Sequence, residues 1–191
     1  CMLDEGEGAN LKSADKADVA VGRLPARTAA QAEVMVDKVY SYANNEEAGA
    51  WQNTLCFLAD DGNGNDQNQH MTDTESVVST ILQQASGFMI KKIYWDAYTR
   101  TSSSTGYSYP DVTRLIKQQM SSGALMMNYC GHGAPYAFSH ELVMQLADFE
   151  EATSMRLPLW VTASCDIMPF DGQEENIGET VMLNKQGGGV A

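Results

Sequence analysis

Two side chains in this sequence, Cys165 and His132, are of the types that make a thiol nucleophile and its base. Each follows an apolar run of strand length. Leu157-Pro158-Leu159-Trp160-Val161-Thr162-Ala163 precedes Cys165, and Gly123-Ala124-Leu125-Met126-Met127-Asn128-Tyr129 precedes His132. A thiolate can attack a carbonyl carbon, and it forms at neutral pH when an imidazole or another cation stands beside it. A lone cysteine is most often a buried core residue. Here the residues that follow, Asp166, Pro169, Asp171 and Gly172, read as a loop that keeps the sulfur at the surface. A histidine between two glycines is, taken alone, a turn residue; paired with Cys165 it becomes a general base and acid. Gly131 and Gly133 let the backbone approach a substrate, and their N–H groups, with that of Cys165, could stabilise a tetrahedral oxyanion.

Such a pair works only if the elements around it deliver both residues to one place. The two apolar runs lack polar alternation, as central strands of a parallel sheet do, and open α/β sheets bind ligands beyond the carboxyl ends of their strands. Further strands are expected at Val19–Leu24, Thr54–Ala59 and Met89–Tyr94, with a last one entered at Gly187–Ala191. Thr28 is the expected N-cap of a helix to Tyr42, with Ala32, Met35, Val36, Val39 and Tyr40 on its apolar face. Helices are also expected over Thr74–Ala85, Asp111–Met120, Leu142–Phe149 and Ile177–Asn184, and irregular loops over Asp60–Asp66 and Thr99–Tyr109. Alternating strands and helices predict a single α/β domain over residues 1–191, a mostly parallel sheet flanked by helices.

The chain has 191 residues, 43% of them hydrophobic, enough to bury a core. Its 25 acidic and 12 basic residues give a formal charge of −13, which argues against nucleic acid and anionic membranes as partners. No apolar run approaches the ~20 residues that a membrane-spanning helix needs. Four cysteines at positions 1, 56, 130 and 165 show no paired spacing, so neither a zinc ribbon nor a disulfide framework is indicated. A zinc set of Cys130, His132, His140 and Cys165 fails on the same ground. The loop Asp60–Asp66 has the Asp/Asn/Gly content of a calcium loop but no Glu at EF-hand spacing, and reads as a solvated turn. The sequence begins on Cys1 and ends on a turn entering a strand. It is therefore expected to be a piece of a larger protein, truncated on its C-terminal side.

The order strand, Gly-His-Gly, strand, Cys resembles the gingipain family of cysteine peptidases, which have a caspase-like fold. Ala17-Asp18-Val19-Ala20-Val21-Gly22-Arg23-Leu24-Pro25, Lys92-Ile93-Tyr94-Trp95-Asp96-Ala97-Tyr98, Tyr109-Pro110-Asp111-Val112 and Gly187–Ala191 extend the likeness over nearly the whole chain. Leu55–Gly62, Ser164-Cys165-Asp166 and Ile177-Gly178-Glu179 are most similar to the family's sortase-like branch in the type IX secretion system of Bacteroidetes. That resemblance implies a cell-surface or extracellular enzyme that removes C-terminal sorting domains from secreted cargo through a thioester on Cys165. It also implies contact with secretion-system components.

Carried over by resemblance, Cys165 is the nucleophile, His132 the base, and Asp61 the acid that orients the imidazole, with Asp60 its close rival. His70 and Asp73 fall where arginine-cleaving members place an acidic pocket residue, and no arginine preference is inferred from them. Cys130 departs from the small residue usual in the family. On an extended strand it would share a side with His132, near enough to Cys165 to act as a resolving thiol, although a small strand-end residue needs no such role. The resemblance implies no cofactor for the chemistry and is compatible with a structural calcium. A different class of reading is a non-catalytic interaction module that keeps the fold without turnover.

Overall fold

Thr54–Ala59 (β1) is buried along its whole length, and the rest of the chain is built outward from it. The computed structural model describes residues 21–64, 66–104, 106–172 and 175–191. In chain order the elements are α1 (Ala29–Ala43), β1, α2 (Gln69–Gln84), β2 (Met89–Tyr94), β3 (Thr101–Ser103), β4 (Gly106–Ser108) and α3 (Pro110–Ser122). There follow β5 (Met126–Cys130), β6 (Gly133–Ala134), β7 (Ala137–Phe138), β8 (Met144–Gln145), α4 (Leu146–Glu150), β9 (Leu159–Ala163) and α5 (Ile177–Leu183).

Strands β2, β1, β5 and β9 form a four-stranded sheet in that order, and every pairing in it is parallel. Side chains of β1 alternate between the two faces. Leu55 and Phe57 pack with Val78 of α2, while Cys56 and Leu58 join Val112, Ile116 and Met120 of α3 in the larger core. Tyr129 of that core stacks on Phe138, 4.3 Å between centroids and nearly coplanar in orientation, and Phe138 meets Phe149 and Trp160. This aromatic ladder anchors the small antiparallel sheet β6–β7–β8 against the end of the main one.

The α/β sheet with helices on both faces is the architecture expected from the sequence, and several local expectations change. Val21–Leu24 forms no strand: Val21 and Leu24 are exposed and pair with nothing regular, while Val19 and Ala20 lie outside the described residues, as does Cys1. The β9 strand was expected to be central but is an outer strand, with Leu159 and Val161 exposed. Trp160 N–H donates to the Ala191 carbonyl at 2.9 Å and Val190 N–H to the Pro158 carbonyl at 3.0 Å, so the terminal segment runs alongside it. Helix α2 starts at Gln69, five residues before Thr74. The loop Thr99–Tyr109 contains the hairpin β3–β4, and the stretch expected as helix from Leu142 contains β8 before the short α4.

Helix α1 has the expected Thr28 cap, whose hydroxyl accepts the Gln31 N–H at 3.2 Å, but it turns a different face inward. Val34, Met35 and Lys38 are buried, whereas Val36, Val39 and Tyr40 are exposed. The reason is a buried polar contact that outweighs the apolar stripe. The Lys38 ammonium donates to the carbonyls of Val181, Met182, Asn184 and Gly187 at 2.8–3.2 Å, capping the carboxyl end of α5. Burial lowers its pKa to about 8. Replacing it strands several carbonyls, each worth roughly 1–3 kcal/mol when left unpaired. Lys38→Met is therefore expected to lower the urea midpoint, a loss of about 2–3 kcal/mol, with the slope unchanged.

Candidate active site

The register of the sheet sets the site. Ala59 of β1 pairs with Cys130 of β5, and Cys130 pairs with Ala163 of β9. Parallel neighbours lie about 4.8 Å apart, so the residues just past these three ends share one edge. They are Asp60-Asp61, Gly131-His132 and Ser164-Cys165, with His132 and Cys165 each two residues beyond a matched pair. Gly133 brings the last two turns into contact. A Cβ there would overlap the Ser164 hydroxyl and lie 2.7 Å from Ile167 Cγ1 and 2.9 Å from the Cys165 carbonyl oxygen, so only glycine lets them close.

Cys165 is exposed and carries a free thiol. Asp166, next to it, holds a left-handed backbone with φ of 45°, a turn that aspartate tolerates better than most residues. The other described cysteines are shielded. Burial pushes the Cys56 thiol up to about 12, and burial, with Asp73 and Asp60 nearby, raises that of Cys130. Cys130 sits against Thr74 and Asp73 of α2 and is free.

His132 is held at its backbone and at its ring. Its N–H donates to the buried Asp60 carboxylate at 3.0 Å, and its carbonyl accepts the Tyr129 hydroxyl at 2.5 Å. Nε2 meets Asp66 Oδ2 at 2.7 Å. A carboxylate partner places the ring proton on Nε2 and leaves the Nδ1 lone pair free to accept a proton. The rings of His70 and His140 flank it, with centroids 5.1 and 4.7 Å away, and His140 Nδ1 lies 3.1 Å from Asn63 Nδ2.

Asp61, expected to orient the imidazole, makes other contacts in this geometry. Asp61 Oδ2 accepts the Tyr109 hydroxyl at 2.8 Å and lies 3.6 Å from Arg100 Nη1, so its carboxylate is turned toward the hairpin side. Asp60, the rival, serves the His132 backbone rather than the ring. Burial raises the Asp60 pKa to about 8, against the pull of the His132 N–H. Asp66 reaches the ring because its loop doubles back. Gly62 packs on the Gln67 carbonyl with no room for a Cβ, and Gln67 is left-handed at φ 48°. Nothing in the sequence distinguishes Asp66 from the other polar residues of that loop; only the fold-back does.

The two oxyanion glycines separate as well. Gly131 N–H donates to the Ala163 carbonyl at 3.3 Å and is already used. The Ser139 N–H to His132 carbonyl bond makes Gly133 and Phe138 a non-hydrogen-bonded pair, so the Gly133 N–H faces away from that hairpin. Of the two pocket candidates, His70 stands on the first turn of α2 edge-on to His132, whereas Asp73 is exposed and lies beside Cys130.

Gly133→Ala is expected to lower kcat/KM by about 100-fold with the far-ultraviolet circular dichroism unchanged, since a displacement near 1 Å between reacting groups has that cost. A variant with native kcat/KM would mean that the two turns need no such approach.

The sequence profile of peptidase family C25 matches residues 2–191, nearly the whole chain. Among curated proteins, none matches this sequence. Among solved structures, the Arg-specific cysteine proteinase gingipain R superposes with a TM-score of 0.67 at 18% identity, over 91% of this chain and 39% of that one. The complex of Porphyromonas gingivalis RgpB pro- and mature domains gives 0.65 at 17% identity, again over 91% and 39%. A structure described only as a protease gives 0.63 at 16%, over 86% and 34%. The chain thus spans about two fifths of the gingipain chains that it matches, and at such identities the likeness shows the fold alone. With the profile match over almost every residue, this chain belongs to peptidase family C25, the gingipain family.

Proposed function

We infer that this chain carries the nucleophile and base of a cysteine peptidase. The observation that supports this most is the pairing of an exposed Cys165 with His132 at one sheet edge, in contact through Gly133. In the reaction, His132 Nδ1 takes the thiol proton while Asp66 holds Nε2–H, and Cys165 Sγ bonds to the scissile carbonyl carbon. The N–H groups of Gly133 and Cys165 face the developing oxyanion. The imidazolium then returns the proton to the leaving amine, the C–N bond breaks, and a thioester remains on Cys165. Water or an acceptor amine attacks that thioester and restores the thiol.

Within this reading, the likeness to the sortase-like branch (PorU-type) favours protein substrates with C-terminal sorting domains and a place at the cell surface or outside it. No described helix is long and apolar enough to cross a membrane. Structural calcium accompanies the reading but takes no part in the steps above. Incubating the full-length protein with a cargo protein that bears a sorting domain is expected to shorten the cargo at one bond. With a small amine present, the new C-terminus is expected to carry it as an amide. Intact cargo, from a protein that still cleaves unrelated peptides, would remove the sorting role and leave the peptidase.

A further inference from the structure

His132 has two neighbours whose bonding capacity the reaction above leaves partly unused. Asp60 comes from the end of β1 and is buried, at 3% exposure, and His70 comes from the first turn of α2. One nitrogen of each imidazole and one Asp60 oxygen lie within 4.8 Å of one another. The two rings stand at nearly right angles with centroids 5.1 Å apart. His70 Nε2 is buried and meets no hydrogen-bond partner among the described residues, although a ring nitrogen shut off from water ordinarily has one. Asp60 accepts the N–H groups of Asp61 and His132 at 3.0 Å and faces the Tyr129 hydroxyl at 3.4 Å. A carboxylate offers about four acceptor positions, so one is left. Behind His132, Asp66 Oδ2 holds Nε2 at 2.7 Å. Imidazoles that bind metals commonly turn their second nitrogen to a carboxylate in this way, and ligating carboxylates are themselves hydrogen-bonded.

We propose that Asp60, His70 and His132 form a zinc site whose filling shuts off the base. Two imidazole nitrogens and one carboxylate oxygen are a set that zinc takes in tetrahedral sites with a fourth position open. Hard cations such as calcium and magnesium prefer oxygens alone. Zinc bonds of about 2.0–2.2 Å set tetrahedral ligands about 3.4 Å apart, so movements of at most about 1.4 Å at the side-chain tips close the site. With Nε2 turned to Asp66, the atom of His132 left for the ion is Nδ1. That is the lone pair that takes the Cys165 proton, so ion and thiol compete for it. No spacing in the sequence could show this set, because a strand end, a helix and a turn contribute one ligand each. The loss of activity rests on the peptidase reading; the binding of zinc does not.

Binding can be read without any assay of turnover. Full-length protein, stripped with a chelator, is titrated with zinc against a chromogenic chelator of known affinity. One zinc per chain is expected, undisturbed by millimolar calcium. His70→Ala and Asp66→Asn are each expected to weaken binding at least about 10-fold, with the circular dichroism unchanged. In the parent, bound zinc is expected to slow alkylation of Cys165, and its removal to restore the rate. Zinc held as tightly by both variants as by the parent would place the ion on the acidic surface, or on Cys165 and His132 alone, and would overturn the proposal. So would a parent protein that binds no zinc at micromolar concentration, a result that leaves the peptidase reading untouched. If zinc binds as expected while zinc-free alkylation of Cys165 ignores His132→Ala, the zinc site stands and the peptidase reading falls.

Discussion

Cys165→Ala in the full-length protein is expected to remove turnover of peptide substrates, by a factor of at least about 10⁴, while leaving the fold as stable as before. The two halves of this expectation have separate causes. Loss of the sulfur removes the exposed thiol that forms the thioester in this reading, and the oxyanion donors alone retain a small residue of catalysis. Stability is spared because Cys165 is exposed and contributes nothing to either core cluster; such substitutions stay within about 0.5 kcal/mol. A melting curve and a progress curve on the same preparation check both. A variant that keeps its activity would move the nucleophile elsewhere, and one that unfolds would show that the thiol is structural.

Asp66→Asn is expected to lower kcat by roughly 10²–10⁴ with little change in KM, since an amide facing Nε2 no longer enforces the tautomer or stabilises the imidazolium. Asp61→Asn is its control. Asp61 meets Tyr109 and Arg100 rather than the ring, so its loss is expected to act mainly on stability, by about 1–3 kcal/mol, through a buried hydroxyl and guanidinium left half-served. Measuring kcat, KM and the urea midpoint for both separates the roles. If Asp61→Asn costs more in kcat than Asp66→Asn, the residue orienting the imidazole is Asp61, as the family likeness alone implied.

The contacts of Asp61 and Asp66 mark the boundary between what local sequence signals carry and what only the folded chain decides. Strands β1 and β2 stand at the bounds read from the sequence, and α3 begins at Pro110, because β-rich residue runs and a fixed proline φ are local signals. His132 and Cys165 stand just past strand ends, as read from the sequence, because strand ends are legible. The partner of the His132 ring was not. It depends on how an eight-residue excursion from Asp61 to Asn68 folds back, which is decided by Gly62 meeting the Gln67 carbonyl, a contact with no counterpart in composition. The inward face of α1 was hidden for a similar reason. Its apolar stripe pointed to Val36, Val39 and Tyr40, and four carbonyls some 145 residues away turned Lys38 inward instead. The hairpin β3–β4 was read as loop because Ser, Thr, Gly and Tyr give no alternation there, yet its Tyr107 ring lies 4.2 Å from the guanidinium of Arg100, the ion-pair partner of Asp61. Glu141 gave no signal in the sequence of its burial beside Asp60 and Asp61.

The most direct test of the nucleophile and base is covalent labelling of the full-length protein with a thiol-reactive peptidyl probe, followed by peptide mapping, in the parent and in His132→Ala. Label is expected on Cys165 rather than on Cys56 or Cys130, since Cys56 is buried with its thiol pushed up to about 12 and Cys130 is raised as well. Without His132 the rate is expected to be at least about 10-fold lower. Label spread over Cys56 and Cys130, or label on Cys165 at a rate indifferent to His132, would mean that the two turns form no catalytic pair and that this domain binds without turning over.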